Sequence, residues 1–195
     1  MTVKDIMKIT LNLVVIYLIG GIILSVVHAL TSPIRYQNKI EAEERALRLL
    51  MPDADEIEKL GDWKIHEKDA KYFVAKKEDA VVGYIVQSYG KGHSGYINTF
   101  IAVDRDFRVL KVKILDQKET PGLGDEIGLD SFTDRLKGKD IEHLKVLKTN
   151  TTEYVQAITG ATVSSRAVTD DAVRVGVMFI KNKVTEGGAS NAGHK

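Results

Sequence analysis

Hydropathy along the chain divides it at once. Ile9 to Leu30 reads ITLNLVVIYLIGGIILSVVHAL, about 22 residues without a formal charge, enough for a helix to cross a ~30 Å hydrocarbon core. Val27-His28-Ala29 also has the small-residue spacing of a signal-peptide cleavage site, but the apolar run exceeds the roughly 7–15 residues of a signal h-region, which favours a retained anchor. Lys4 and Lys8 precede the span and Arg35 and Lys39 follow it, so basic residues give its orientation no bias. Thr31-Ser32-Pro33 predicts a break. Beyond it, Ile40, Leu47, Leu50 and Met51 share one helical face over Gln37 to Met51, a short amphipathic stalk helix that Pro52 stops.

From Trp63 to Gln117 the period changes. Tyr72 to Ala75, Val81 to Ser88, Tyr96 to Val103 and Val109 to Leu115 are rich in β-branched and aromatic residues and read as strands. Asp104-Arg105-Asp106 is a hairpin-turn candidate between the last two. Ser131 to Leu136 predicts a short helix and Leu144 to Leu147 a strand. Ser164 to Asn182 predicts a long helix with Val168, Ala172, Val175 and Phe179 along one side. Glu186 to Lys195 is glycine-rich and polar and is expected to be a loose tail. A helix, a run of strands and a final helix argue for an α+β fold with a largely antiparallel sheet. The expected organisation is an anchor over 1–33, a stalk helix and linker over 34–61, a ligand-binding domain over 62–185 and a flexible tail over 186–195.

Composition narrows the chemistry. With 195 residues and a formal net charge of +1, the chain has room for one well-buried domain and no basic surface suited to nucleic acid. It contains no cysteine, which excludes thiolate metal sites, iron–sulfur ligation by this chain, disulfides and a cysteine nucleophile. Redox chemistry would therefore ride on an organic cofactor. Neither a GxGxxG sequence nor a Walker loop is present, so a Rossmann or P-loop nucleotide site has no support.

Three clusters carry chemical potential. Thr159-Gly160-Ala161-Thr162-Val163-Ser164-Ser165 places small and hydroxyl residues directly before the final helix, a pattern that suits anion binding at first-turn N–H groups. Read as residues alone, it is equally an ordinary cap in which Thr162 or Ser164 accepts a bond from the first turn. Glu119-Thr120-Pro121-Gly122-Leu123-Gly124-Asp125 is a tight turn whose amides either face a ligand or close a solvent loop. Gly90-Lys91-Gly92-His93-Ser94-Gly95 lies between two strands, as a flexible hairpin or a loop at a cofactor edge. His93 is a candidate proton donor, though a lone loop histidine is ordinarily solvated.

Taken in order behind a single N-terminal span, the glycine-rich loop, KETPGLGDEI and TGATVSSRAV resemble the FMN-binding domain of the G subunits of Rnf-type electron transport complexes. The C-type member of the sodium-pumping NADH:quinone reductase shares that architecture, but the compact length fits the Rnf protein better. The resemblance runs from the anchor to Lys181. It implies that Thr162 carries FMN through a phosphoester made by a flavin transferase, that Thr159, Gly160 and Ala161 complete the attachment motif, and that Ser164 and Ser165 bind the phosphate. It further implies that Glu119, Thr120, Leu123 and Gly124 form the turn beside the isoalloxazine ring. Gln156 stands where the family has an acidic residue three positions before the motif.

The same resemblance implies an electron carrier in an ion-translocating ferredoxin:NAD oxidoreductase. Its soluble domain would be extracytoplasmic, beside other membrane and iron–sulfur subunits. Two other classes remain open on the residues: a single-span extracytoplasmic binding module without flavin, and a hydrolase using Ser164 or Ser165 with His93, which no GxSxG elbow supports.

Overall fold

The computed structural model describes residues 3–192, and the side chains of all of these except 33–36 and 187–192. The chain divides into a unit ending at Glu43 and a second unit beginning at Glu44. The first helix, α1, covers Val3–Leu50. Among its described side chains up to Glu43, apolar ones such as Leu13, Ile16, Tyr17 and Leu24 are exposed, and the helix is long and apolar enough to cross a membrane.

The expected break at Thr31-Ser32-Pro33 is absent, and no separate stalk helix begins at Gln37. Proline has no N–H for the carbonyl four residues back. The carbonyl concerned is that of Ala29, while the Thr31 hydroxyl donates to the carbonyls of Val27 at 2.8 Å and His28 at 3.4 Å. Thr31 thus bonds back into its own helix instead of capping a new one, and prolines are tolerated inside helices of membrane-spanning type.

Five strands follow in a meander, each antiparallel to the next, in the order β1 to β5. They are β1 Glu56–Ile65, β2 Lys68–Lys77, β3 Ala80–Lys91, β4 Tyr96–Val103 and β5 Val109–Asp116. Strand β1, which begins inside the expected linker, has no counterpart in the sequence reading. Its charged edge-strand pattern is interrupted by a register shift between Lys59 and Gly61. Its hairpin to β2 turns on His66 and Glu67, with φ of 48° and 61°. Those residues supply the two positive φ angles of a tight hairpin without the Asn-Gly or Asp-Gly signature.

Both faces of the sheet are covered. On one, Phe73, Ala75, Ile85, Phe100 and Ala102 pack with Ala46, Leu50 and Met51 from the end of α1. On the other, Val86, Ile97, Ile101 and Val103 pack with Val168, Val173, Val177 and Ile180 of the C-terminal helices. Double coverage explains why Tyr96 to Val103 reads as an almost continuous apolar run.

After β5 come a 3₁₀ turn at Gly124–Gly128, α2 at Asp130–Thr133, a second 3₁₀ turn at Asp134–Leu136 and a short parallel ladder of β6 Val146–Leu147 with β7 Val155–Gln156. The predicted C-terminal helix is α3 Thr162–Arg166, a π-helical stretch Ala167–Val173 and α4 Arg174–Ala192, one after another. The π stretch turns the buried face. Val173, Val177 and Ile180 are fully buried, in place of the expected Val175 and Phe179, because wider winding offsets the face by about one residue. Phe179 instead stacks on Trp63 at 4.1 Å between ring centroids. The expected tail is helical to Ala192, since nothing between Glu186 and Ala192 is a proline and glycine lowers helix propensity without forbidding it. The rest of that tail, 193–195, lies outside the described residues.

Two glycines set how closely helix and sheet meet. A Cβ at Gly176 would lie 2.9 Å from Ile101 Cδ1, and one at Gly90 would overlap the carbonyl oxygen of Ala167. The second clash is with backbone, so no rotamer change relieves it. Gly90→Ala is therefore expected to destabilise the folded chain by about 1–3 kcal/mol or more, read as a lower urea midpoint of the detergent-solubilised protein. An unchanged midpoint would mean that the π stretch moves freely off the sheet.

Candidate functional site

The three sequence clusters meet at Glu119. After β5 the chain enters the turn at Glu119, whose own N–H donates to Gln117 Oε1. Its side chain is 5% exposed. Oε1 accepts the backbone N–H of Ser94 at 2.9 Å, while Oε2 accepts the N–H of His93 at 3.1 Å and the hydroxyl of Ser164 at 2.5 Å. One carboxylate thus ties the glycine-rich loop after β3 to the start of α3. Burial pushes this carboxyl up, but the bonds from Ser164, Ser94 and His93, with the charge of His93, outweigh it and hold it below its ordinary 4.5.

Glycines leave room for this arrangement. A Cβ at Gly92 would fall 2.5 Å from Glu119 Oε1, and one at Gly124 would fall 2.8 Å from Glu119 Cβ and 3.0 Å from Ser164 Oγ. The sequence assigns Gly124 to close approach of backbone to a ligand; the structure sets it against the Glu119 side chain. The turn closes on the Thr120 carbonyl, which accepts the N–H groups of Leu123, Gly124 and Asp125. Gly122 holds φ at +71° there.

Around these residues lies a cleft of about 270 Å³, bordered by His93, Glu119, Thr120, Leu123, Thr162 and Val163 among others. Gly160 and Ala161 also line it, and Gly160 adopts φ +82° where a Cβ would meet Leu123 Cδ1 at 2.8 Å. Leu123 and Val163 give the mouth exposed apolar surface. Thr162 opens α3 and is half-buried. Its hydroxyl makes no hydrogen bond among the described residues, and Ala161 at the cap position supplies no side-chain bond. The simple capping alternative for Thr162 is therefore not what the chain adopts.

The motif hydroxyls differ sharply. Ser164 lines the cleft with its proton committed to Glu119. Ser165, expected to face a phosphate, is fully buried and points away: its hydroxyl donates to the Ala161 carbonyl at 2.9 Å and accepts the N–H of Ile158 at 3.0 Å. That side chain braces the loop before α3, and its hydroxyl has both of these partners within the protein. Thr159 is exposed and borders no part of the cleft. Gln156 sits in β7, its carbonyl accepting from Arg135 at 2.9 Å. His93 reaches Glu119 through its backbone, and neither Ser164 nor Ser165 hydrogen-bonds a histidine ring among the described residues. This leaves the hydrolase without a nucleophile–base pair.

Sequence reasoning passed over Gly92 and Val163. Gly92 belonged to a recognised loop, but its packing against Glu119 needed the fold. Val163 is an apolar residue inside a hydroxyl-rich motif and gave no signal. A larger groove of about 480 Å³, between the end of α1 and the start of β1 near Arg48, Met51 and Asp55, gathers none of the motif residues.

Comparison with known proteins agrees with this geometry. Residues 92–189 match the FMN-binding domain family, which takes in every residue bordering the cleft. The chain is 36% identical over 167 residues to the G subunit of the proton-translocating ferredoxin:NAD(+) oxidoreductase complex of Clostridium ljungdahlii, covering 85% of this chain and 87% of that one. The chain belongs to the G subunits of Rnf-type ion-translocating oxidoreductase complexes. Another member of the family, the G subunit of the Na(+)-translocating ferredoxin:NAD(+) oxidoreductase complex of Acetobacterium woodii, is 28% identical, with coverage of 85% and 87%. A solved structure, the C subunit of the Na(+)-translocating NADH-quinone reductase of Parabacteroides distasonis, shares the fold at a TM-score of 0.55 and 22% identity, over 75% of this chain and 94% of that one.

The Glu119 carboxylate makes a prediction about pH. A carboxyl held below its ordinary value stabilises the fold fully above that value, and the contribution is lost as pH falls through the folded pKa. Glu119→Gln must turn an amide N–H₂ toward one of the donating N–H groups and is expected to cost about 1–3 kcal/mol at neutral pH. The gap between wild type and variant should close on acidification below 4.5, as measured by urea unfolding across pH. A gap that stays constant down to roughly pH 3, well under the ordinary carboxyl value, would show that the charge contributes nothing.

Proposed function

We propose that this chain is the electron-relay subunit of an ion-translocating ferredoxin:NAD oxidoreductase, with FMN joined through its phosphate to Thr162. The observation that carries this reading is the position of Thr162: a hydroxyl without a protein partner among the described residues, at the opening of a helix, on a cleft where three glycine-bearing loops converge. The residues fit FMN by the chemistry of their donors and their space. Thr162 supplies the attachment oxygen, the left-handed Gly160 keeps the approach clear, and first-turn amides favour an anionic phosphate. Leu123 and Val163 offer apolar contact to a flat ring, and the Glu119 turn borders it.

Bound FMN supplies one-electron and two-electron transfer, so a single site can connect carriers of either kind. The chain's part is to hold the group at a fixed place and exclude water from one side. A cysteine-free domain fits this role, since the iron–sulfur centres and the NAD site would belong to other subunits. The apolar stretch of α1 would act as a single membrane anchor. The family resemblance favours an extracytoplasmic domain, where a covalent bond prevents loss of a cofactor that is not resupplied. Partners on this reading are the membrane and iron–sulfur subunits of the complex and the flavin transferase that makes the bond.

Thr162→Ala is expected to abolish covalent flavin in protein co-expressed with a flavin transferase, read as loss of the FMN-minus-water increment in intact mass. The fold should remain, at a cost within about 0.5 kcal/mol, because Thr162 caps nothing and its hydroxyl has no protein partner among the described residues. Thr162→Ser keeps a hydroxyl and should retain at least partial modification. An increment persisting in Thr162→Ala would place the bond elsewhere. A wild-type chain that never acquires one would overturn the covalent reading and direct attention to Gln156.

A further inference from the structure

Four hydroxyls stand within seven residues, at Thr159, Thr162, Ser164 and Ser165, and a phosphoryl-transfer enzyme meets them all. Hydroxyl chemistry alone does not select among them. The fold treats them very differently. Thr159 is exposed but lies off the cleft. Ser165 is 0% exposed and uses its oxygen both as donor to Ala161 and as acceptor from Ile158. Ser164 borders the same cleft as Thr162 and sits two residues further along the same helix. It is the one real competitor.

Ser164 is 3% exposed, and its hydroxyl proton is given to Glu119 Oε2 at 2.5 Å. That carboxylate is fixed by two backbone N–H groups, of His93 and Ser94, from a separate loop. Gly92 and Gly124 pack against it so closely that neither tolerates a Cβ. The carboxylate therefore cannot swing away to release Ser164 without disturbing three segments. Thr162, by contrast, has no hydrogen-bond partner among the described residues and is half-buried at the cleft.

We infer that Glu119 is a positioning residue for flavin attachment: by holding the Ser164 hydroxyl in a buried bond, it confines modification to Thr162. The inference rests on the covalent reading above and adds which residue enforces the choice of oxygen. In the attachment step a bond forms between Thr162 Oγ1 and the FMN-side phosphorus of a dinucleotide flavin donor held by the transferase. The pyrophosphate P–O bond breaks, a nucleoside monophosphate leaves, and the hydroxyl proton passes to the transferase or solvent. The same step at Ser164 would require its oxygen to leave Glu119 and its proton to be shared elsewhere. A hydrogen bond to a charged acceptor resists that.

The test is the location of the adduct in full-length protein co-expressed with a flavin transferase, by intact mass and peptide mapping, with circular dichroism reporting folding. Wild type should carry one adduct, on Thr162, and Thr162→Ala none. In Thr162→Ala combined with Glu119→Ala, an adduct should appear on Ser164, at least about tenfold above the detection limit that the single variant does not reach. Thr162→Ala with Glu119→Gln keeps the side-chain volume and should give a smaller share at the same serine; it decides the matter if the alanine double variant does not fold. An adduct on Ser164 in Thr162→Ala alone would overturn the inference, as would its absence from every folded double variant. A wild-type chain without adduct would instead remove the covalent reading on which the inference stands.

Discussion

The bond set of Glu119 is the constraint on which the site depends. A carboxylate buried between loops costs several kcal/mol unless its lone pairs are met, and here three donors from two distant segments meet them. Because the donors include two backbone N–H groups, the loop after β3 must adopt one conformation for the charge to be tolerated. Because the third is Ser164, the first turn of α3 must lie in one place. The cleft results from this pairing. Strands β3 and β5 run in the same direction and finish at the same end of the sheet, and Glu119 joins what they carry.

The helix that bears Thr162 is located by a second, purely steric constraint. Gly90 and Gly176 let the π stretch and α4 rest directly on β3 and β4, and Ser165 fastens the loop before α3 to Ile158 and Ala161. Position along the helix is set by the sheet contact and its opening turn by the two serines. This is a rigid mounting on regular elements, with polar support behind the residues at the surface. The π winding follows from the same packing: with seven π-helical residues between two α-helical segments, the face that buries Val168 passes to Val173 and Val177 without bending the helix off the sheet.

Much of the fold was legible because the signals were strong. Strands β2 to β5 announced themselves through β-branched and aromatic runs, and β4 was found to the residue. Strand β1 was not, since its charges and Gly61 obscure alternation and its turn is made by His66 and Glu67. Pro33 was overestimated as a helix breaker because a proline removes one hydrogen bond from a helix long enough to continue past it. At the site, the three clusters were readable by composition. That they share one carboxylate was not, because the sequence separations of 25 and 45 residues from Glu119 to Ser94 and Ser164 have no periodic signature. Ser165 shows the same limit: a serine in a motif looks alike whether it faces a ligand or its own backbone.

The division of labour among the motif hydroxyls follows from the same physics that shapes the loop. Most buried hydroxyls are hydrogen-bonded, and Ser164 and Ser165 find their partners within the protein. Thr162 does not need one, because it stands at the cleft where solvent or a ligand can serve. Satisfaction of Ser164 and Ser165 within the protein thus leaves Thr162 as the hydroxyl on the cleft without a protein partner among the described residues. Were Glu119 replaced by an apolar residue, the loop amides and Ser164 would all seek new partners in the cleft itself. The cleft would then present the Ser164 hydroxyl beside that of Thr162, so the residue that joins the loops is also the one that keeps Ser164 occupied.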